Sequence, residues 1–374
     1  MLHWFDPIFP VNLIYNFINC FLSIFIISIF AIKYKINKNF FFLIILTLIF
    51  PLLINGPFMN WHELPDQSKY LKDTMLIRDF EFDLLDGRTP ILFSTLIFAV
   101  IPFPFIESFN DIGLINRLLF SLMIIFLINK KVSNIYIYFL LLSPSMILYT
   151  STALKETLVV ILTILILFSI IEKKNYMFVI TLISLFLLKK QNAILIVPFF
   201  VIYKFYFNFN FKYKFLLSII LFIPILYFTV VGSSLLLDSI NYYRYNFFDE
   251  ETGSGFGFVG FINFLDVILN IPLSYIKFLI APFPNIYSPV KFIFFIDSII
   301  LVVLLINNFM KLKKINNSIF IFWLLFFLAF LSMYSITIFN EGTISRYKIS
   351  FSIPFLLIIH FININYNKIF SNEK

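Results

Sequence analysis

Chemistry in this chain starts with Asp66. It follows Pro65 in the stretch WHELPDQSKYLKDTMLIRDFEFDLLDGRTP, where charged residues concentrate, and precedes Gln67–Arg78, a run of good helical composition. That context puts Asp66 at a helix N-cap or just before one. A carboxylate held there can act as a general base or bind a divalent cation such as Mg or Mn; it can equally do no more than cap the helix. Glu63 is the competing acid, His62 a weaker partner, and Tyr70 a supporting group on the same segment. Cys20 is the one cysteine, and His3, His62 and His360 lie far apart. Neither a disulfide framework nor a His/Cys metal cluster can be assembled within the chain. Carboxylates, Lys, Arg, Tyr or a cation held by oxygen ligands must therefore carry any reaction.

Three further polar clusters interrupt apolar sequence. In SPSMILYTSTALKETLVVILTILILF, Lys155 and Glu156 stand between two apolar runs, and in FLLKKQNAILIVPF the trio Lys189, Lys190 and Gln191 forms another turn. The segment NYYRYNFFDEETGSGFGF carries Arg244 and the acids Asp249, Glu250 and Glu251, a composition suited to lining a sugar cleft. Its glycines also suit a mobile lid. They follow no strand, which excludes a dinucleotide fingerprint. Finally, FNEGTISRYKISF places Glu341, Arg346 and Lys348 at the start of the last apolar run.

The elements that position these groups are membrane helices. Hydrophobic residues make up 61% of the 374 positions and charged ones 13%, which excludes a water-soluble globule. Apolar runs at 11–32, 40–56, 112–129, 134–150, 156–171, 176–188, 192–206, 215–233, 289–310, 317–339 and 348–365 predict a single all-α polytopic membrane domain over 1–374. It would have about 11 transmembrane helices, and at most about 13. Two Pro-broken apolar segments, 90–106 and 259–281, are predicted to lie at the interface instead of spanning, within the outer loops 56–111 and 231–289. With that choice the lysine clusters at 33–38, 130–131, 173–174, 204–214 and 311–314 fall on one side, the cytoplasmic one. The N-terminus is then outside, without a cleavable signal peptide, and the C-terminus inside. The net charge of +8 thus reads as an orientation signal, not as a nucleic-acid footprint.

All five arginines, Arg78, Arg88, Arg117, Arg244 and Arg346, lie on the outer side in this topology. A guanidinium matches phosphate and carboxylate oxygens as a planar fork and stays charged at low dielectric, so their placement suggests anion recognition. For Arg78 and Arg88, amid Asp79, Asp83 and Asp86, pairing with those acids is an equal reading. Paired lysines on the outer face likewise suggest a phosphate-bearing ligand, with snorkelling at a helix end as the alternative.

The order of these features resembles the GT-C superfamily of integral-membrane glycosyltransferases, which use sugars carried on polyprenyl phosphates. PDQSKYLKDTMLIRD looks like its acidic outer-loop segment, GRTPILFSTLIFAVIPF like its proline-led interfacial helix, and DIGLINRLLFSLMII like the following span. SPSMILYTSTALKE, APFPNIY and NEGTISRYKISFSIP also look like pieces of bacterial membrane proteins of surface-polysaccharide assembly, O-antigen and capsule polymerases among them. The resemblance implies a bacterial inner-membrane enzyme that transfers sugar or oligosaccharide from undecaprenyl phosphate or diphosphate. Asp66 is the catalytic-position match, with Glu63 as its rival. Arg117, Lys155, Lys190, Arg346 and Arg244 would grip the donor phosphate, supported by His62, Tyr70, Glu156 and Glu341. The chain departs from the pattern in having a complete span, 11–32, ahead of the one that leads into the acidic loop, and a lone Asp66 where paired acids are usual, which leaves metal dependence open. Its partners would be lipid-linked glycans, membrane lipids and other polysaccharide-assembly proteins, not nucleic acid. A flippase or transporter of lipid-linked glycans is the reading from another class, and it would need no catalytic base.

Overall fold

A computed structural model describes residues 12–55, 64, 66–208, 233–246, 260–284, 288–338 and 341–370, and every regular element among them is a helix. Among the described residues six stretches are long and apolar enough to cross a membrane: Leu13–Lys33, Phe109–Asn129, Asn175–Lys204, Pro289–Ile315, Asn317–Thr337 and Glu341–Ile369. The pair Pro144–Ser151 and Glu156–Ile171, bent by 112°, makes a seventh if it is one broken span. Several apolar helices of this length are the pattern of a multi-pass membrane protein. The eleven separate spans expected from hydropathy are not all distinct helices of spanning length. The run 134–150 divides into two short helices, 176–188 and 192–206 fall in one helical stretch broken at Lys189, and most of 215–233 lies outside the described residues. Apolar windows register composition, whereas a crossing needs about 20 helical residues in line.

Chain contacts divide the molecule into two compact units, the first within 1–169 and 175–190, the second within 170–174 and 191–374. The first unit contains α1 (Leu13–Lys33), α2 (Lys38–Thr47), α3 (Phe50–Leu53), α4 (Asp66–Arg78), α5 (Thr89–Val100), α6 (Phe109–Asn129), α7 (Asn134–Leu142), α8 (Pro144–Ser151), most of α9 (Glu156–Ile171) and the first half of α10 (Asn175–Asn208). At its centre is α6, buried on nearly every side. Against it α1 turns Asn16, Asn19, Ser23, Ile27 and Ala31, a stripe at three- and four-residue spacing. The polar members of that stripe meet Asp111. Its Oδ1 accepts from Asn16 Nδ2 (2.7 Å) and Asn19 Nδ2 (2.8 Å). Its Oδ2 accepts from Glu107 N (3.0 Å), Ser108 N (2.9 Å) and Ser108 Oγ (2.8 Å), closing a capping box at the start of α6.

One carboxylate thus joins two spans where apolar packing alone gives little preference for protein over lipid. Asp111→Ala should leave the N–H and hydroxyl of Ser108 buried without this acceptor, cut Asn16 and Asn19 back to Ser108 Oγ and Phe105 O, and destabilise the fold by on the order of 3 kcal/mol. Thermal unfolding in detergent, followed by size-exclusion of the surviving monodisperse fraction, measures it; an unchanged melting curve would contradict the role.

The predicted interfacial segment 90–106 is helical only over α5, whose 12 residues span about 18 Å, too short for the hydrocarbon core. Its end is closed by Arg78. The guanidinium donates to the carbonyls of Ala99 (3.3 Å), Ile101 (2.7 Å) and Phe103 (2.7 Å). Helix ends leave carbonyls unpaired, and Pro102 and Pro104 have no N–H to offer. Arg78 therefore serves backbone, and its hydrogen bonds go neither to the neighbouring acids nor to the anion that the sequence offered as equal readings.

The second unit contains the remainder of α10, α11 (Ser233–Asn246), α12 (Phe264–Ile280), α13 (Pro289–Ile315), α14 (Asn317–Thr337) and α15 (Glu341–Phe370). The other predicted interfacial segment, 259–281, yields α12, 17 residues with Pro272 inside. Aromatic rings fill this unit: Trp323, Phe326, Phe330, Phe351 and Phe355 meet across α14 and α15 at centroid separations of 5.0–6.1 Å, in tilted and edge-on pairs. Beside them Lys348 is buried, with Nζ donating to the carbonyls of Leu279 (3.3 Å) and Ala281 and to Ser298 Oγ (2.5 Å). A cation at the carbonyl end of α12 is favoured by the helix dipole, and buried Asp297 interacts with it electrostatically.

Candidate functional site

In the first unit Asp66 is the first residue of α4, one step inside the cap position expected for it. The positive end of the helix favours a carboxylate there. It is about half exposed, at 46% for its side chain, and pairs with Lys69 at 3.6 Å. The next residue, Gln67, is buried, and its Oε1 accepts from Ala153 N at 2.7 Å across 86 positions of sequence. Ala153 belongs to the turn between α8 and α9, where the chain bends by 112°.

Side-chain amides hold that turn. Asn55 Nδ2 donates to Ser151 O (2.9 Å), and Asn116 Nδ2 donates to both Thr152 O and Leu154 O (2.8 Å each). Gly113, one helical turn before Asn116, lets the Ser151 carbonyl lie directly on α6; a Cβ there would fall inside contact distance of that oxygen and 3.1 Å from Pro51 Cβ. Lys155, half-buried, and buried Glu156 follow the turn directly.

Arg117 is adjacent in sequence to Asn116 and fully buried. Nε donates to Thr47 O (3.2 Å) and Nη1 to Thr150 Oγ1; Nη2 has no hydrogen-bond partner, and the Phe50 and Phe120 rings lie 5.8 and 5.1 Å from the guanidinium. Expected to face a donor phosphate, Arg117 instead lies behind the turn and fixes α8 to α6 and to the end of α2. Its long side chain on a largely buried helix finds protein acceptors before any surface.

Two acids of the polar segment from α4 to the start of α5 take opposite environments. Asp86 receives Arg88 as a fork, with Nε to Oδ1 at 2.9 Å and Nη2 to Oδ2 at 2.5 Å, which pulls its carboxyl down to about 2. Of the two readings offered for Arg88, pairing with a neighbouring acid is the one present. Asp73 is buried on α4, with Oδ1 accepting only a 3.4 Å bond from Asp86 N and Oδ2 without a partner, and desolvation raises its carboxyl above the ordinary range. No signal drew attention to Asp73 except its place seven residues after Asp66, on the same face of the helix. A carboxyl whose folded-state affinity for protons exceeds the unfolded one costs stability as pH rises past the unfolded value, about 4, and the loss persists at neutrality. Asp73→Asn should therefore melt at a higher temperature than the parent at pH 7, with the gap closing as pH is lowered to about 4. Melting curves over pH 4–8 would decide it; a variant less stable at pH 7 would show that the charged form is the favoured one.

The remaining candidates lie elsewhere. Tyr70 is buried on α4. Lys190 is exposed, whereas its neighbour Lys189, the other member of the pair, is buried where α10 breaks with φ −154° and ψ 78°. In the second unit, Arg244 is buried, donates to Ile336 O (2.9 Å) and faces the Phe261 ring at 4.6 Å. Arg346 lies 5.9 Å from the Tyr347 ring, and Glu341 pairs with Lys291 at 2.9 Å. Glu63 and His62 lie outside the described residues, as does the Asp249–Glu251 run. Among the described residues no three of His, Cys, Asp and Glu are grouped to hold a metal ion.

Fold and site together define a helical, multi-pass membrane protein in which the start of a polar helix, α4, is tied through Gln67 to the turn of a bent helix pair. No family model, curated protein or solved structure matches the chain.

Proposed function

We propose that the protein is a glycosyltransferase of the bacterial cytoplasmic membrane, acting at its outer face on a polyprenyl-(di)phosphate donor during surface-polysaccharide assembly. The observation that supports this reading most is convergence. The acidic segment PDQSKY, the helix DIGLINR and the segment SPSMILYTSTALKE, far apart in sequence, join through Gln67–Ala153, Asn116–Thr152/Leu154 and Arg117–Thr150. In this reading Asp66 takes the proton of the acceptor hydroxyl while the acceptor oxygen attacks the anomeric carbon. The bond from that carbon to the donor phosphate oxygen breaks, and phosphate leaves with the electron pair. Lys155, immediately after the turn, is the first cation to meet the charge developing on phosphate, with Lys190 of the same unit as a further contact. The lysine clusters face the cytosol, the N-terminus lies outside and the C-terminus inside.

Polymerisation of repeat units and addition of a single branch sugar are both contained in this chemistry. Incubating the purified protein with a labelled lipid-linked donor and sizing the product separates them: a ladder of repeats indicates a polymerase, one increment a branching transferase. Lys348, buried in a span beside Asp297, favours a second reading as a carrier of lipid-linked glycans. Transbilayer movement of the donor without new glycosidic bonds in that assay would select it.

A further inference from the structure

We propose that the second unit carries a binding site for the headgroup of an anionic phospholipid of the phosphatidylglycerol type, independent of the glycosyl-transfer reading. A cavity of about 370 Å³ opens between the C-terminal part of α13 and the second half of α15, lined by Lys311, Lys314, Ile315, His360, Asn363 and Ile364. It lies 19 residues along α15 from Glu341, about 28 Å at helical rise and so close to a full hydrocarbon thickness away. It therefore belongs to the opposite membrane face from the Glu341–Lys291 pair.

Its chemistry is that of an amphiphilic anion's seat. Lys311 and Lys314, three residues apart on α13, are exposed and form no ion pair with a carboxylate among the described residues. His360 adds an imidazole close enough to Lys311 for the two to interact electrostatically. Two cations and an imidazole in one recess leave a phosphate as the natural counter-charge, and basic pockets between spans at a membrane face take lipid headgroups. Asn363 narrows the choice. Its Nδ2 is held by Asn308 O at 3.0 Å, which turns Oδ1 into a buried acceptor with no partner. A headgroup carrying a hydroxyl beyond its phosphate supplies that donor, and the choline headgroup, which has no N–H or O–H, does not. Ile315 and Ile364, both exposed, give the acyl chains an apolar wall at the cavity's edge. Lys313, on the same helical turn, instead lies over the Phe320 ring at 5.9 Å.

The test uses the full-length protein in detergent, titrated with phosphatidylglycerol or with phosphatidylcholine and read by native mass spectrometry. Phosphatidylglycerol should bind to the parent in preference to phosphatidylcholine. Lys311→Gln with Lys314→Gln should weaken that binding about 30-fold, since each surface lysine contributes about a factor of five. Lys313→Gln should leave it within about twofold. All three lysines are exposed, so the variants retain the fold, and an unchanged melting temperature verifies this. Equal retention of both lipids, or undiminished phosphatidylglycerol binding in the double variant, overturns the site. Displacement of the lipid by millimolar inorganic phosphate overturns the lipid assignment in favour of a free-phosphate site.

Discussion

Asp66→Asn should lower sugar transfer from a polyprenyl-linked donor by about 10²–10⁴-fold while leaving the protein folded. The amide is the same size, sits at the same exposed first turn of α4 and still favours the helix start, so the change removes proton-accepting capacity and little else. Asp66 is half exposed and held by Lys69 at 3.6 Å, a pair weak enough to open for a substrate hydroxyl. The buried Gln67–Ala153 bond meanwhile keeps the helix start against the turn that precedes Lys155. Initial rates with a radiolabelled donor, at equal amounts of monodisperse protein, measure the effect. Near-parental rates would remove Asp66 from the reaction, and attention would pass to Asp73 on the same face of α4.

Gly113→Ala should be among the most damaging single-methyl changes in the first unit. The new Cβ would strike the backbone oxygen of Ser151, crowd Pro51 Cβ at 3.1 Å and approach Asn55 Nδ2 at 3.2 Å. A flexible side chain could turn aside; a carbonyl fixed by Asn55, in a turn fixed again by Asn116 and Gln67, cannot move without breaking those bonds. Overpacking of this kind costs about 1–3 kcal/mol or more. Because the displaced atom belongs to the turn leading to Lys155, transfer should fall beyond what lost stability explains. Gly87→Ala is the control, since nothing lies within 4 Å of a Cβ there. Melting temperature and transfer rate measured on both variants give the comparison; a Gly113→Ala protein as stable and active as the Gly87→Ala protein would show that the turn is not rigid.

Arginine and lysine positions show where reading from sequence succeeds and stops. Arg88 pairs with Asp86 two residues away, a neighbour relation visible in the chain. Arg78 does not: its partners are three carbonyls left open by a helix end and two prolines, 21–25 residues on. Arg117 lies inside the span predicted over 112–129, but the direction of its side chain depends on α2 and α8. Between Lys189 and Lys190, two identical side chains in a row, the break in α10 buries one and exposes the other. Asp73 carried no local mark as an acid apart from its helical phase with Asp66.

The amino-acid sequence by itself determined that the chain is helical, that its apolar helices suit a membrane, and where polar segments interrupt them. Those properties follow from composition averaged over a window, because each apolar residue contributes its transfer free energy whatever its distant neighbours are. Only the tertiary structure decided which interruptions meet. Gln67 with Ala153, Asn16 and Asn19 with Asp111, and Lys348 with Ala281 are separated by 67 to 95 residues. A hydrogen bond is directional and short-ranged, so its partner is chosen by how helices pack and which groups that packing leaves buried and unpaired, a property no segment holds alone.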